Sequence, residues 1–174
     1  LSAAMTALDE IHQVPLQQRR PFWQAKLVSL GLTIGTILLL ISASFLVLIS
    51  DFIVKLVASQ SGNFQSGLLR IWQLLTWPTA LAIVASAFAF IYRYGPSRWV
   101  KGTPILPGAM VAAVSWAIIS GLFRLYVSNF GNYNAAYGAV GTVIVLMLWL
   151  NLSSLVMLFG DQLNVTVGEA MRKK

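Results

Sequence analysis

Residues Leu125–Gly160 read LYVSNFGNYNAAYGAVGTVIVLMLWLNLSSLVMLFG, and these 36 positions contain no Asp, Glu, Lys or Arg. A helix that crosses a bilayer needs about 20 mainly apolar residues, so the run holds one span and a polar, aromatic approach to it. Working outward, three more uncharged runs follow the same rule: Gly102–Phe123 and Ile71–Tyr92 with 22 residues each, and Leu27–Ser50 with 24. Over all 174 residues 57% are hydrophobic and 10% are charged, with mean hydropathy +0.76. Soluble domains carry about 25% charged residues. The predicted fold class is therefore an all-α polytopic membrane helical bundle. It has four transmembrane helices, at about 27–50, 74–92, 105–127 and 139–160, in a single integral membrane domain over 1–174. Residues 2–14 add a short N-terminal amphipathic helix with Met5, Leu8 and Ile11 on one face and Asp9 and Glu10 off it.

The net charge of +7 would suggest nucleic acid in a soluble protein, but its distribution points elsewhere. Arg19, Arg20 and Lys26 precede the first span; Arg93, Arg98 and Lys101 separate the second and third; Arg172, Lys173 and Lys174 close the chain. The opposite side carries only Lys55 and Arg70. Nine against two is a positive-inside pattern. It predicts a membrane protein with both ends of this segment cytoplasmic. The expected partner of the basic loops is anionic inner-leaflet lipid, with no nucleic acid. The amphipathic helix is expected along the inner membrane surface, with an ordinary connector as the alternative.

Between the first two spans, Ile53, Leu56 and Val57, then Leu68, Leu69 and Trp72, suggest two short outer helical pieces. Pro78 predicts a kink in the second span. In the third, Ala109, Ala113, Ala117 and Gly121 recur every four residues, a small-residue stripe that lets another helix approach. The same stripe would serve packing within the chain or in a homo-oligomer.

Seven residues stand out as candidates along a substrate path. Arg124 lies near the outer end of the third span, in helical step with the stripe. It is read either as an anion contact or as a side chain snorkelling to headgroups. Asn129, Tyr133 and Tyr137 belong to an uncharged loop rich in amides and rings, a gate-like segment or an interfacial belt. On the last span Asn151, Ser154, Asp161 and Gln162 fall within an arc of about 100°. Asn151 and Ser154 are expected to bond across to another helix. Asp161, at the inner boundary, is read as a proton-taking group, a partner of Arg93 or Arg98, or a solvated charge.

Cys is absent and His12 is the single histidine, which excludes thiol chemistry and imidazole metal clusters within the chain. Two-metal hydrolysis needs several converging carboxylates. The acids here number five, with Asp51 on the far side of the membrane from the others. No serine sits in a nucleophile elbow and no glycine loop matches a phosphate cradle. The expectation is a protein without catalytic residues, metal or cofactor.

The run Tyr133–Asn164, with FRLYVSNFGNYNAAYG at Phe123–Gly138, RYGPSRWVKGTPILPGA at Arg93–Ala109 and ALDEIHQVP at Ala7–Pro15, resembles the YihY/BrkB family of bacterial inner-membrane proteins. The resemblance covers nearly the whole chain. It implies about six spans in the complete protein, with an N-terminal pair beyond this segment. It departs from the family at Asn151, where Tyr is common, and at Asp161-Gln162, where Ala-Glu is common. Members carry the labels virulence factor, serum-resistance factor and ribonuclease BN, and export of a small solute has been suggested for them. The resulting expectation is a transporter or permease-like protein of unknown substrate. The alternative is a non-catalytic structural or interaction protein that organises lipids or a partner complex.

Overall fold

A computed structural model of the chain describes residues 2–58, 65–99, 102–129 and 131–173. Among them are five α-helices and one 3-10 turn: α1 (Ser2–Ile11), the turn Leu16–Gln18, α2 (Phe22–Ala58), α3 (Gln65–Tyr94), α4 (Leu106–Asn129) and α5 (Gly131–Arg172). Four of these hold windows long and apolar enough to cross a membrane: Phe22–Phe45, Leu74–Tyr94, Leu106–Ser128 and Val140–Arg172. Hydrocarbon offers no partners to a backbone N–H or C=O, so such sequences satisfy them internally as helix.

The long helices form a row. α2 packs on α3, α3 on α4 and α4 on α5, while α1 touches both α5 and α2, the two ends of the row. α1 thus bridges them at one end of the bundle, called here the α1 end. The core lies at that end: Leu8, Ile91, Tyr92, Ala109, Ala112, Val156 and Met157 form its buried cluster. Only 11–28% of each span is buried, so most helix faces are left for lipid or further protein.

Local chemistry sets the boundaries. α1 stops where Gln13 takes a left-handed φ of 52° ahead of Pro15. Beyond the end of α3, Arg20 donates to the carbonyls of Tyr94, Gly95 and Pro96 at 3.0, 3.4 and 3.0 Å. The Tyr94 carbonyl is one of the orphan acceptors that any helix C-terminus leaves, and the other two belong to the turn that follows. Pro107 sits in the first turn of α4, where a missing N–H costs nothing. Pro78 lies inside α3, which continues through it.

Three expectations need correction. The two short outer pieces are the ends of long helices, since α2 runs on to Ala58 and α3 starts at Gln65. The amide- and ring-rich loop is helical as well: α4 extends to Asn129 and α5 begins at Gly131. The segment has neither charge nor proline, and Ala135, Ala136 and Ala139 are strong helix formers, so α5 starts well ahead of the apolar span. Finally, α1 is docked into the bundle. Leu8 is fully buried in the core, and Asp9, expected on the polar side, is buried too. Its carboxylate accepts from the Ser97 backbone N–H and hydroxyl, which supply the partners a buried charge requires.

Candidate functional site

The polar residues of the α1 end converge on Asp161. This carboxylate belongs to α5, is 0% exposed, and lies within the last membrane-crossing window. An ionisable group so placed is costly without a partner. The partner is His12, in the turn after α1. His12 Nε2 stands 3.3 Å from Oδ1 and 3.1 Å from Oδ2, and the two side chains are 1% and 0% exposed. Neither of the expected arginines takes this role. Arg93 lies over the Trp99 ring at 5.2 Å, and Arg98 donates to Gln18. The Trp99 ring also packs against His12, with centroids 5.5 Å apart.

The surrounding contacts hold α3, α4 and α5 in place. Tyr92, fully buried on α3, donates its hydroxyl to the Met157 carbonyl of α5 at 2.7 Å. One turn beyond Asp161, the Asn164 Oδ1 accepts from the Gly108 N–H in the first turn of α4 at 2.7 Å. That bond satisfies one of the four free N–H groups of a helix start. Asn164 Nδ2 is buried with no acceptor among the described residues. A Tyr92→Phe variant removes one interhelical bond of a kind worth about 0.6 kcal/mol on average in membrane helices. We expect a small drop in unfolding midpoint in detergent, measured by tryptophan fluorescence, with the helix content by circular dichroism unchanged.

Above this cluster lies a cavity of about 340 Å³ reached by all five helices. Ala4 of α1, Thr36 of α2, Phe88 of α3, Trp116 of α4, and Ser153 and Ser154 of α5 are among its walls. The lining is apolar with three hydroxyls. Trp116 Nε1 donates to Ser153 Oγ at 3.3 Å across α4 and α5. The Thr36 hydroxyl is buried without a partner among the described residues.

Of the seven residues singled out in the sequence, the structure brings Asp161 and Ser154 to this end of the bundle. Ser154 borders the cavity, but its hydroxyl donates back to the Leu150 carbonyl on its own helix at 2.8 Å. Asn151 is exposed. The cross-helix bond expected of these two is made by their neighbour Ser153. Arg124 is exposed and borders a separate groove of about 380 Å³ between α4 and α5, with Ser120, Phe123 and Trp149. The side chains of Asn129, Tyr133 and Tyr137 lie outside the described residues. His12, Trp99, Tyr92 and Asn164 were not singled out. A signal was present for His12, which stands in ALDEIHQVP beside the break at Pro15. Among the described residues, no three His, Cys, Asp or Glu side chains gather as a metal site would require.

A family model of Virulence factor BrkB matches residues 1–174. The chain is 31% identical over 163 residues to the putative ribonuclease-like protein YfkH of Bacillus subtilis (strain 168), covering 94% of this chain and 58% of that protein. It is 38% identical over 97 residues to a UPF0761 membrane protein of Alteromonas mediterranea, covering 56% of this chain and 32% of the relative. A UPF0761 membrane protein of Idiomarina loihiensis is 31% identical over 141 residues, with 79% and 46% covered. The chain spans about half the length of such relatives. No solved structure matches it.

Proposed function

This chain belongs to the Virulence factor BrkB family of membrane proteins, and from that premise we propose that it forms part of a permease-like transporter for a small solute in the bacterial inner membrane. The observation that carries the reading is the cavity of about 340 Å³ between the spans, bordered at the α1 end by Ala4. α2 and α5, the two ends of the helix row, are bridged there by α1. The His12–Asp161 contact fastens that bridge. A bridge held by a few polar contacts, this one and those of Asp9 with Ser97 among them, can be released and re-made, as alternating access needs. The apolar lining with a few hydroxyls suits a small amphipathic solute better than a highly charged one. In this reading both ends of the segment are cytoplasmic, and Asp161 and Ser154 lie along the inner path with Asn151. Arg124, Asn129, Tyr133 and Tyr137 form the outer approach.

One observation favours a second reading. A passage would place both Arg124 and Asp161 toward the interior, yet Arg124 is exposed. An arginine on the outer surface fits a protein that organises lipid or a partner complex without moving solute.

The two separate in proteoliposomes made with the full-length protein. Permeation of glycerol, indole and benzoate is followed by stopped-flow light scattering or release assays. Transport predicts that at least one of these crosses faster than through empty liposomes. Ser154→Trp, which fills the cavity, then slows it at least threefold. Rates equal to empty liposomes for all three, in wild type and variant alike, would favour the structural reading.

A further inference from the structure

The turn from α1 into α2 holds a third recess, of about 280 Å³, lined by Arg19, Arg20 and Lys26 with Ser2, Thr6 and Asp9 among their neighbours. Three cations face one carboxylate, and that carboxylate is already engaged by the Ser97 N–H and hydroxyl. Arg20 is fixed by the carbonyls of Tyr94, Gly95 and Pro96. These acceptors are neutral, so they position the guanidinium without cancelling its charge. Arg19 is tethered through Nε to the Val14 carbonyl at 3.3 Å, and Glu10, 71% exposed, comes no closer than 4.0 Å. A pair that distant and that wet contributes almost nothing. The Lys26 ammonium lies 5.6 Å from the Phe22 ring centroid and has no carboxylate within 4.0 Å among the described residues. The recess is therefore a preorganised pocket with a surplus of positive charge, three cations to the one Asp9 carboxylate, and with hydroxyls at its edge.

Its depth is marked independently. Phe22 and Trp23, 68% and 78% exposed, open the first membrane-crossing window immediately after Arg19 and Arg20. Exposed rings flanked by basic residues belong at headgroup level. The terminal nitrogens of Arg19 and the Lys26 point charge, with the fixed charge of Arg20 beside them, match the oxygens of a phosphate. We propose that this recess binds a phosphate group, carried by an anionic phospholipid headgroup or by a free phosphate ester. Bound there, the phosphate ties α1 to the start of α2. The site stands whether or not the protein transports a solute.

The test uses full-length protein in mild detergent. Phosphatidylglycerol retention is measured by native mass spectrometry, and protection by inorganic phosphate is measured by thermal shift. Arg19→Gln/Lys26→Gln removes two recess charges while leaving the Arg20 clamp intact. Lys173→Gln/Lys174→Gln removes the same charge at two positions that follow α5 in the sequence. At least tenfold weaker retention of phosphatidylglycerol in the first pair, with the second pair close to wild type, supports a lipid headgroup site. Phosphate protection lost only in the first pair, with lipid retention unchanged, supports a phosphate site for a soluble ester. Equal losses in both pairs reduce the effect to general charge attraction and overturn the proposal. The absence of any loss overturns it as well.

Discussion

Asp161→Ala is expected to undock α1 and to destabilise the bundle by about 3 kcal/mol. That figure is where the costs of stripping one partner from a buried hydrogen bond and from a buried ion pair meet. The argument rests on burial at both ends of the contact. Asp161 is 0% exposed and His12 8%, and Nε2 is within 3.3 Å of both carboxylate oxygens. Without the carboxylate, the imidazole keeps its Trp99 neighbour but loses its polar partner. Leaving the bundle for water then becomes its cheapest option, and it takes Leu8 from the core. The turn Leu16–Gln18 and the two arginines after it would follow, so trypsin should cut after Arg19 much faster than in wild type, while the Arg20–Pro21 bond resists it. Unfolding midpoint and cleavage rate in detergent are the readouts. His12→Ala should do nearly the same, and the double variant little more than either, because both remove one interaction. Gln162→Ala, at the exposed neighbouring position, should change stability by no more than about 0.5 kcal/mol. Additive losses from His12→Ala and Asp161→Ala would show that the contact fastens nothing.

That contrast between positions 161 and 162 also marks the limit of what the sequence disclosed. The four spans were legible because a bilayer leaves the backbone no alternative to helix, and charge spacing alone locates them. The amphipathic stripe of Met5 and Leu8 was legible in the same way. Its docking was not, because a pattern of apolar residues does not say whether they meet lipid or a neighbouring helix. Asp9 shows the ambiguity well. By periodicity it falls beside the buried face, and only the Ser97 donors in the α3–α4 turn, far away in sequence, make its burial affordable. Asp161 was visible as an isolated acid in an apolar run, but its partner lies 149 residues away. Basic residues nearer in sequence looked the better match. Arg93 and Arg98 are instead engaged with Trp99 and Gln18.

The small-residue stripe was read as a packing surface, and the structure divides it in a way that yields the other large expected effect. Ala109 and Ala113 are buried, whereas Gly121 is exposed with nothing within 4 Å of where a Cβ would stand. The tight approach is between Gly108 of α4 and Gly160 of α5. A Cβ on Gly108 would collide with the Gly160 carbonyl oxygen and with the Asn164 amide; one on Gly160 would meet the Tyr92 hydroxyl, Ala112 Cβ and the Gly108 oxygen. Two of these obstacles are backbone, which moves only if the helices separate, and separation also breaks the Gly108–Asn164 bond. Added methyls in packed cores cost about 1–3 kcal/mol. A collision with backbone together with a lost buried bond places Gly108→Ala and Gly160→Ala at the upper end of that range, about 3 kcal/mol. Gly121→Ala should go the other way, since alanine is the better helix former by up to about 1 kcal/mol where space is open. Thermal unfolding of the three variants in one detergent decides it. Equal midpoints for Gly108→Ala and Gly121→Ala would mean that α4 and α5 do not meet at these glycines. The placement of Asn164 beside them would fall with that contact, because its Oδ1 reaches the Gly108 N–H only while the two helices stay this close.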